Sequence, residues 1–297
     1  MKIVTGAFKN ASPNDHPYRT EQGGIFIFPS MHLALSRRKM VSSNSETCHL
    51  RTPYEALNIL LDSGFFKGRC VALAGGRGTH KSRLAFGQVL YTLDDDHKSR
   101  AIIISLREDE STVKGNFYKS LPPSMKVVNQ KPEQLVDKLV EEGRLELCNY
   151  PPGFIAPEEF FHRVQLSVAR QKQASPGGPV LLVFNSLDLL HSHYPLCAEH
   201  SIFVPALVEL LCLENVTSFF VATSVENRDP YGLMSMADPV LRFLRLEEDE
   251  NIVRMTIDRF AAGTSAGKSV FLALNEEGLH CYSGKPPTNT RAMAQNV

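Results

Sequence analysis

The chain reads as an α/β protein built on a mainly parallel central sheet, flanked by helices and extended toward its C-terminal end by antiparallel hairpins. Two observations predict this. From residue 54, short apolar runs alternate with segments of helical period, the pattern of strands joined by crossover helices. Beyond residue 240 the strands come close together, divided by the turns EEDEN, AAGTSAG and NEEG, which suit hairpins.

Taken in order, Cys70–Ala74 (CVALA) predicts a buried strand, and Lys81–Leu93 the helix after it. Ala101–Ser105 (AIIIS) is a second strand, Pro132–Glu142 a helix, and Leu145–Cys148 a short third strand. Pro157 suits the first turn of a helix running to about Gln173, because its missing N–H costs nothing there. SPGG at 175–178 breaks the chain before the strongest strand, Val180–Phe184 (VLLVF). A helix around Ser201–Cys212 leads to the buried strand Ser218–Thr223. Val240–Leu246, Val253–Ile257, Ser269–Leu274 and Leu279–Tyr282 are the hairpin strands. The polar, proline-rich tail 284–297 is expected to stay outside the fold.

Composition narrows the function classes. The 297 residues carry 32 Lys+Arg and 32 Asp+Glu, a formal net charge of zero, with 43% hydrophobic and 22% charged residues. Such a chain is globular rather than disordered, and its balance argues against a strongly basic nucleic-acid surface. The one compact basic run, SRRK at 36–39, reads as a solvated segment. No apolar run approaches the roughly 20 residues that cross a bilayer, and the first 15 residues lack a secretory apolar stretch. The six cysteines are widely spaced and read as buried free thiols, so a cytoplasmic location is expected. His191, His193 and His200 have metal-like spacing but no accompanying carboxylate or cysteine pattern, and read as loop histidines.

The strongest chemical signal is AGGRGTHKSRLAFG, set between a buried strand and a helix. A phosphate loop needs G-x-x-x-x-G-K-[ST] in that setting, so that backbone N–H groups and a helix N-terminus meet the anion. Gly75, Gly78, Lys81 and Ser82 stand at those positions, with Gly76 and Thr79 inside the loop. His80 replaces the last glycine, adding bulk and φ strain where the backbone passes the phosphate. Its imidazole could instead contact a phosphate oxygen. The strand VLLVF, where a magnesium-organising carboxylate would end, closes on Asn185 and Ser186, with Asp188 three residues beyond Asn185. Asp188 reads either as a substitute carboxylate or as the N-terminal residue of the next helix. Glu108, just past AIIIS, is the candidate general base, and REDE read as a helix-starting charge cluster is the alternative.

With these residues in order, the chain from Tyr54 to Tyr282 resembles the KaiC branch of the RecA-like P-loop ATPases. YEALNILLDSGFFKGRCVALAGGRGTHKS is similar to that family's opening, with a lead-in helix and a turn at Gly64 and Gly68. SLRED, LLVFNSLDLL, VATSVEN and VRMTIDRFAAG are similar to its later strand ends. Pro17–Pro29 resembles both Ser269–Ser283 and the closing hairpin of a family domain. The expected organisation is therefore a hairpin and linker over 1–50, left from a truncated first copy, a P-loop domain over 51–283, and the tail.

The resemblance implies ATP or ADP bound with magnesium between neighbouring copies in a ring or dimer, slow hydrolysis, and signalling to other proteins. It also implies the departures. Arg107 replaces the first of two glutamates, Asn185 the magnesium-organising aspartate, and Ala261 the arginine of a Lys-x-Arg pair whose lysine position holds Arg259. Ser82 and Asn185 are then the metal-side residues and Arg259 the candidate acting in trans. Losing members of a cooperating site removes most of the rate, so hydrolysis is expected to be weak or lost. The competing reading is a nucleotide-free RecA-like scaffold. A DNA-processing ATPase ranks below both, because the stretch after Tyr194 (PLCAEHSIF) is not basic.

Overall fold

A computed structural model describes residues 18–19, 25–26, 48–106, 109–120, 125, 132–150, 156–193, 202–223, 229, 232–247, 249, 251–260, 267–275 and 278–286. The chain divides into two units, Met1–Thr47 and Cys48–Val297. In the first, β1 (Tyr18–Arg19) pairs antiparallel with β2 (Ile25–Phe26), Tyr18 opposite Phe26. The basic run 36–39 and the tail from 287 lie outside the described residues.

The second unit opens with β3 (His49–Leu50), helix α1 (Glu55–Leu60) and β4 (Phe65–Phe66), the two short strands pairing antiparallel. There follow β5 (Cys70–Gly75), α2 (Lys81–Asp95), β6 (Arg100–Ser105), α3 (Glu110–Tyr118), α4 (Pro132–Glu141) and β7 (Leu145–Asn149). Next come α5 (Pro157–Ala174), β8 (Val180–Asn185), α6 (Asp188–His193), α7 (Phe203–Leu213) and β9 (Val216–Ala222). A short α8 (Leu233–Met236) precedes β10 (Val240–Arg245), β11 (Ile252–Arg259), β12 (Ser269–Asn275) and β13 (Gly278–Tyr282).

The nine strands β5–β13 form one sheet in the order β13-β12-β11-β10-β5-β9-β8-β6-β7. The six from β10 to β7 run parallel, and β11, β12 and β13 extend the sheet as antiparallel hairpins. The expected α/β architecture is present.

Burial explains why the central parallel strands β5, β6, β8 and β9 are largely apolar. Successive residues of one strand point to opposite faces, and here both faces are covered. Val71, Leu73, Ile103, Val183 and Phe219 join α1 to α4 in one core. Cys70, Ala72, Ile102, Ile104, Phe184 and Phe220 join α5, α6, α7 and α8 in the other. The hairpins are buried on one face only, so β11 alternates: Met255 and Ile257 are buried, Arg254 and Asp258 exposed. On the open face Arg242 pairs with Asp258.

Two helices have local causes worth naming. Asp109 caps α3, its carboxylate accepting the Thr112 N–H at 2.8 Å, which is the helix-starting role weighed for REDE. Pro157 occupies the first turn of α5 as expected. The cysteines depart from expectation, because among those described only Cys70 is fully buried and Cys48 is exposed. None of the five described cysteines is joined in a disulfide.

Phe160 sits at the centre of an aromatic cluster with Tyr150, Phe184 and Phe203, at ring separations of 5.0, 5.9 and 5.5 Å. Phe160→Ala is expected to cost about 3–5 kcal/mol in urea unfolding. Leu166→Ala on the same helix, 51% exposed, should stay within about 0.5 kcal/mol. Equal costs would contradict the face assigned to α5.

Candidate functional site

The residues read as a phosphate loop lie where β5 ends and α2 begins. β5 is completely buried between β9 and β10, so the loop springs from the middle of the sheet. Ligands of open α/β sheets bind at the carboxyl ends of such strands, beside a reversal of strand order. Gly75 is required by packing: a Cβ there would stand 2.3 Å from the Phe243 carbonyl oxygen of β10. Gly78 has φ +72, and a Cβ on it would lie 2.4 Å from Arg245 Nη2.

His80 takes up the left-handed backbone at φ 63, ψ 14, immediately before α2. The conformation is the one that glycine adopts freely and that an L side chain adopts at a cost of roughly 1–2 kcal/mol. The strain expected of this position is therefore present. Burial, and then the charges of Arg83, Arg245 and Lys81, push the His80 imidazole down to about 4, so it is neutral at physiological pH.

Lys81 closes the loop on itself. Its Nζ donates to the carbonyl oxygens of Gly75 at 2.7 Å and Gly76 at 2.6 Å, and reaches Thr79 Oγ1 at 3.3 Å. Thr79 Oγ1 in turn donates to the Gly76 carbonyl at 2.8 Å. Lys81 is only 6% exposed, and burial pulls its ammonium down to about 8 while Asp188 opposes that shift. Burial also lowers the Arg83 guanidinium.

The structure brings Ser82 and Asn185 together. Ser82 Oγ donates to Asn185 Oδ1 at 2.8 Å, across 103 residues of sequence and past the intervening strand β9. Asp188 is committed elsewhere. Its Oδ1 accepts the Thr223 N–H at 2.6 Å, and its Oδ2 accepts the Thr223 and Ser186 hydroxyls at 2.5 and 3.2 Å. It opens α6 and fastens the end of β9 to that helix.

Arg259 ends β11 and donates to the Ser235 carbonyl at 2.6 Å, at the C-terminus of α8 in its own chain. Arg107, Glu108 and Ala261 lie outside the described residues, as do the side chains of His191, His193 and His200.

One site residue escapes sequence reading. β10 runs parallel to β5 with Phe243 opposite Gly75, so Arg245, two residues on, arrives beside the loop. Its Nη2 lies 3.3 Å from the Gly78 carbonyl oxygen and 3.5 Å from that of Arg77. Only the strand order reveals this, since 167 residues separate Arg245 from Gly78.

The loop thus combines the first-turn N–H groups of α2, which have no intrahelical acceptor, with Lys81, Arg83 and Arg245. That donor set fits a phosphate-bearing ligand. It does not fit magnesium, which demands near-octahedral oxygen ligands and usually one or two carboxylates. Among the described residues the oxygens beside the loop are the neutral pair Ser82 and Asn185, and no three His, Cys, Asp or Glu are grouped to hold a metal. Neither a protein-family model nor a curated protein matches this chain. Among the described residues no helix is long and apolar enough to cross a membrane.

The histidine has a signature in stability. Between about pH 6.5 and 4 the unfolded chain binds a proton at His80 that the native loop refuses. Stability should therefore fall as pH drops through that window. His80→Gly removes both this loss and the φ strain, so its advantage in urea midpoint should grow from pH 7 to pH 5. A pH-independent difference would refute the neutral buried imidazole.

Proposed function

We propose that the chain is a KaiC-like, RecA-type P-loop protein that binds ATP or ADP and hydrolyses it weakly or not at all. In this reading it works as a regulatory protein, assembling with copies of itself or with other proteins. The observation that carries it is the Ser82–Asn185 bond. It joins the hydroxyl after the loop lysine to the end of a core strand one position removed, as nucleotide hydrolysis sites join them, but with an amide in place of the acid. An amide keeps the hydrogen bond and loses the charge, so positioning survives where catalysis does not.

The residues would divide the work simply. Backbone N–H groups at the start of α2 would receive the β-phosphate, and Lys81 would leave the Gly75 and Gly76 carbonyls to reach the terminal phosphate oxygens. Glu108 would be the remaining candidate base for water. Arg259 would act on a neighbour only after releasing the Ser235 carbonyl.

A second reading, the nucleotide-free scaffold, has one observation in its favour. The Lys81 ammonium already satisfies its hydrogen bonds on loop carbonyls, so a ligand must compete with bonds the loop makes internally. Calorimetric titration with ATP and ADP separates the two. Saturable binding is expected, weakened at least tenfold by Lys81→Ala. No binding at millimolar nucleotide would leave the scaffold, and brisk hydrolysis would overturn the claim that Asn185 disables the site.

A further inference from the structure

We infer that this loop takes its polyphosphate without a divalent cation, and that Arg245 supplies the positive charge a metal ion would otherwise bring. The inference rests on the nucleotide-binding reading and states how that site differs from a magnesium-dependent one.

Among the described residues the oxygen side of the site is poor. In metal-dependent phosphoryl transfer the cation bridges phosphate oxygens and neutralises their charge, held from below by hydroxyl and carboxylate. Here the Ser82 hydroxyl keeps its lone pairs, but the partner it donates to is the neutral Asn185 amide, so neither group carries negative charge. Asp188 is the nearest carboxylate along the chain, and both its oxygens hold Thr223 and Ser186. Turning it toward the loop would strip the acceptor from the Thr223 N–H, at the cost of a partly buried donor left unpaired.

The cationic side is correspondingly rich. Lys81 sits inside the loop on its own carbonyls, Arg83 follows two residues on in the first turn of α2, and Arg245 reaches the Gly78 carbonyl from β10. Among the described residues none of the three lies within ion-pair distance of a carboxylate, and Asp188 acts on Lys81 only from farther off. Arg245 is held at the mouth of the loop by two long contacts to carbonyl oxygens, 3.3 and 3.5 Å. Such contacts are weak, and a guanidinium has five N–H donors. An arriving phosphate oxygen offers a charge-assisted, bidentate partner in exchange, roughly twice as strong as a neutral one. Gly78, at φ +72, lets the backbone pass beside the guanidinium, where a Cβ would stand 2.4 Å from Nη2.

The test is titration of the full chain with ATP, once in excess magnesium and once in EDTA. The dissociation constant in EDTA should lie within threefold of that in magnesium. Arg245→Ala should weaken binding in EDTA at least tenfold, with Arg245→Lys recovering part of the loss. Circular dichroism melts report whether the variants fold. If Arg245→Ala does not, Arg245→Gln keeps the stem and a donor without the charge, and carries the same expectation. Binding more than threefold tighter with magnesium, or unaffected by loss of the Arg245 charge, overturns the inference and leaves the nucleotide reading standing. Absence of binding in both buffers overturns the nucleotide reading itself.

Discussion

The loop between β5 and α2 is organised by one buried ammonium. A charge in that position must be satisfied, because desolvation without compensation costs several kcal/mol. Lys81 meets the requirement with the carbonyl oxygens of Gly75 and Gly76 and the hydroxyl of Thr79. Those bonds span a tight loop whose backbone takes left-handed geometry at Gly78 and His80. The same loop puts Ser82 in the first turn of α2, within reach of Asn185. The site is thus shaped by its own cation, which also leaves it with a surplus of positive charge.

That surplus gives the residues that depart from the expected loop pattern a common direction. Asn185 withholds a negative charge from the floor of the site, Asp188 is drawn away to Thr223, and Arg245 adds a positive charge at the rim. His80 fits the same field: surrounded by cations and partly buried, it remains neutral and adds no further repulsion. An anion-binding loop can persist under these changes, because its backbone donors and helix N-terminus are untouched. Activation of a water molecule has no such backbone substitute.

Most strands of the second unit were legible in the sequence because the sheet is covered on both sides. Runs such as AIIIS and VLLVF have no solvent face, so no polar residue interrupts them. The segments that were not assigned have weaker signatures. β3 and β4 are two residues each, and only their antiparallel pairing makes them strands. Helix α3 carries Gly115 and Asn116 and little amphipathic pattern, and its cap at Asp109 is its clearest mark. The site divides in the same way. Lys81 and Ser82 could be read from spacing, and the trouble at His80 from the absence of glycine. Arg245 could not, because its place depends on β10 lying beside β5 in parallel register, which no local pattern encodes. The commitment of Asp188 to Thr223 is likewise a fact of tertiary structure.

The alternation of faces along the sheet makes it a partition between two separate interiors. Ile103 and Ile104 are bonded neighbours, yet one answers to α2, α3 and α4 and the other to α5 and α7. Sequence adjacency here means energetic distance, while residues far apart along the chain share a compartment. Evolution can therefore repack one side of the sheet largely independently of the other, with volume changes confined to their own interior. The loop that leaves β5 for α2 sits at the rim of this partition, at the end of a strand whose Leu73 belongs to one compartment and Ala72 to the other.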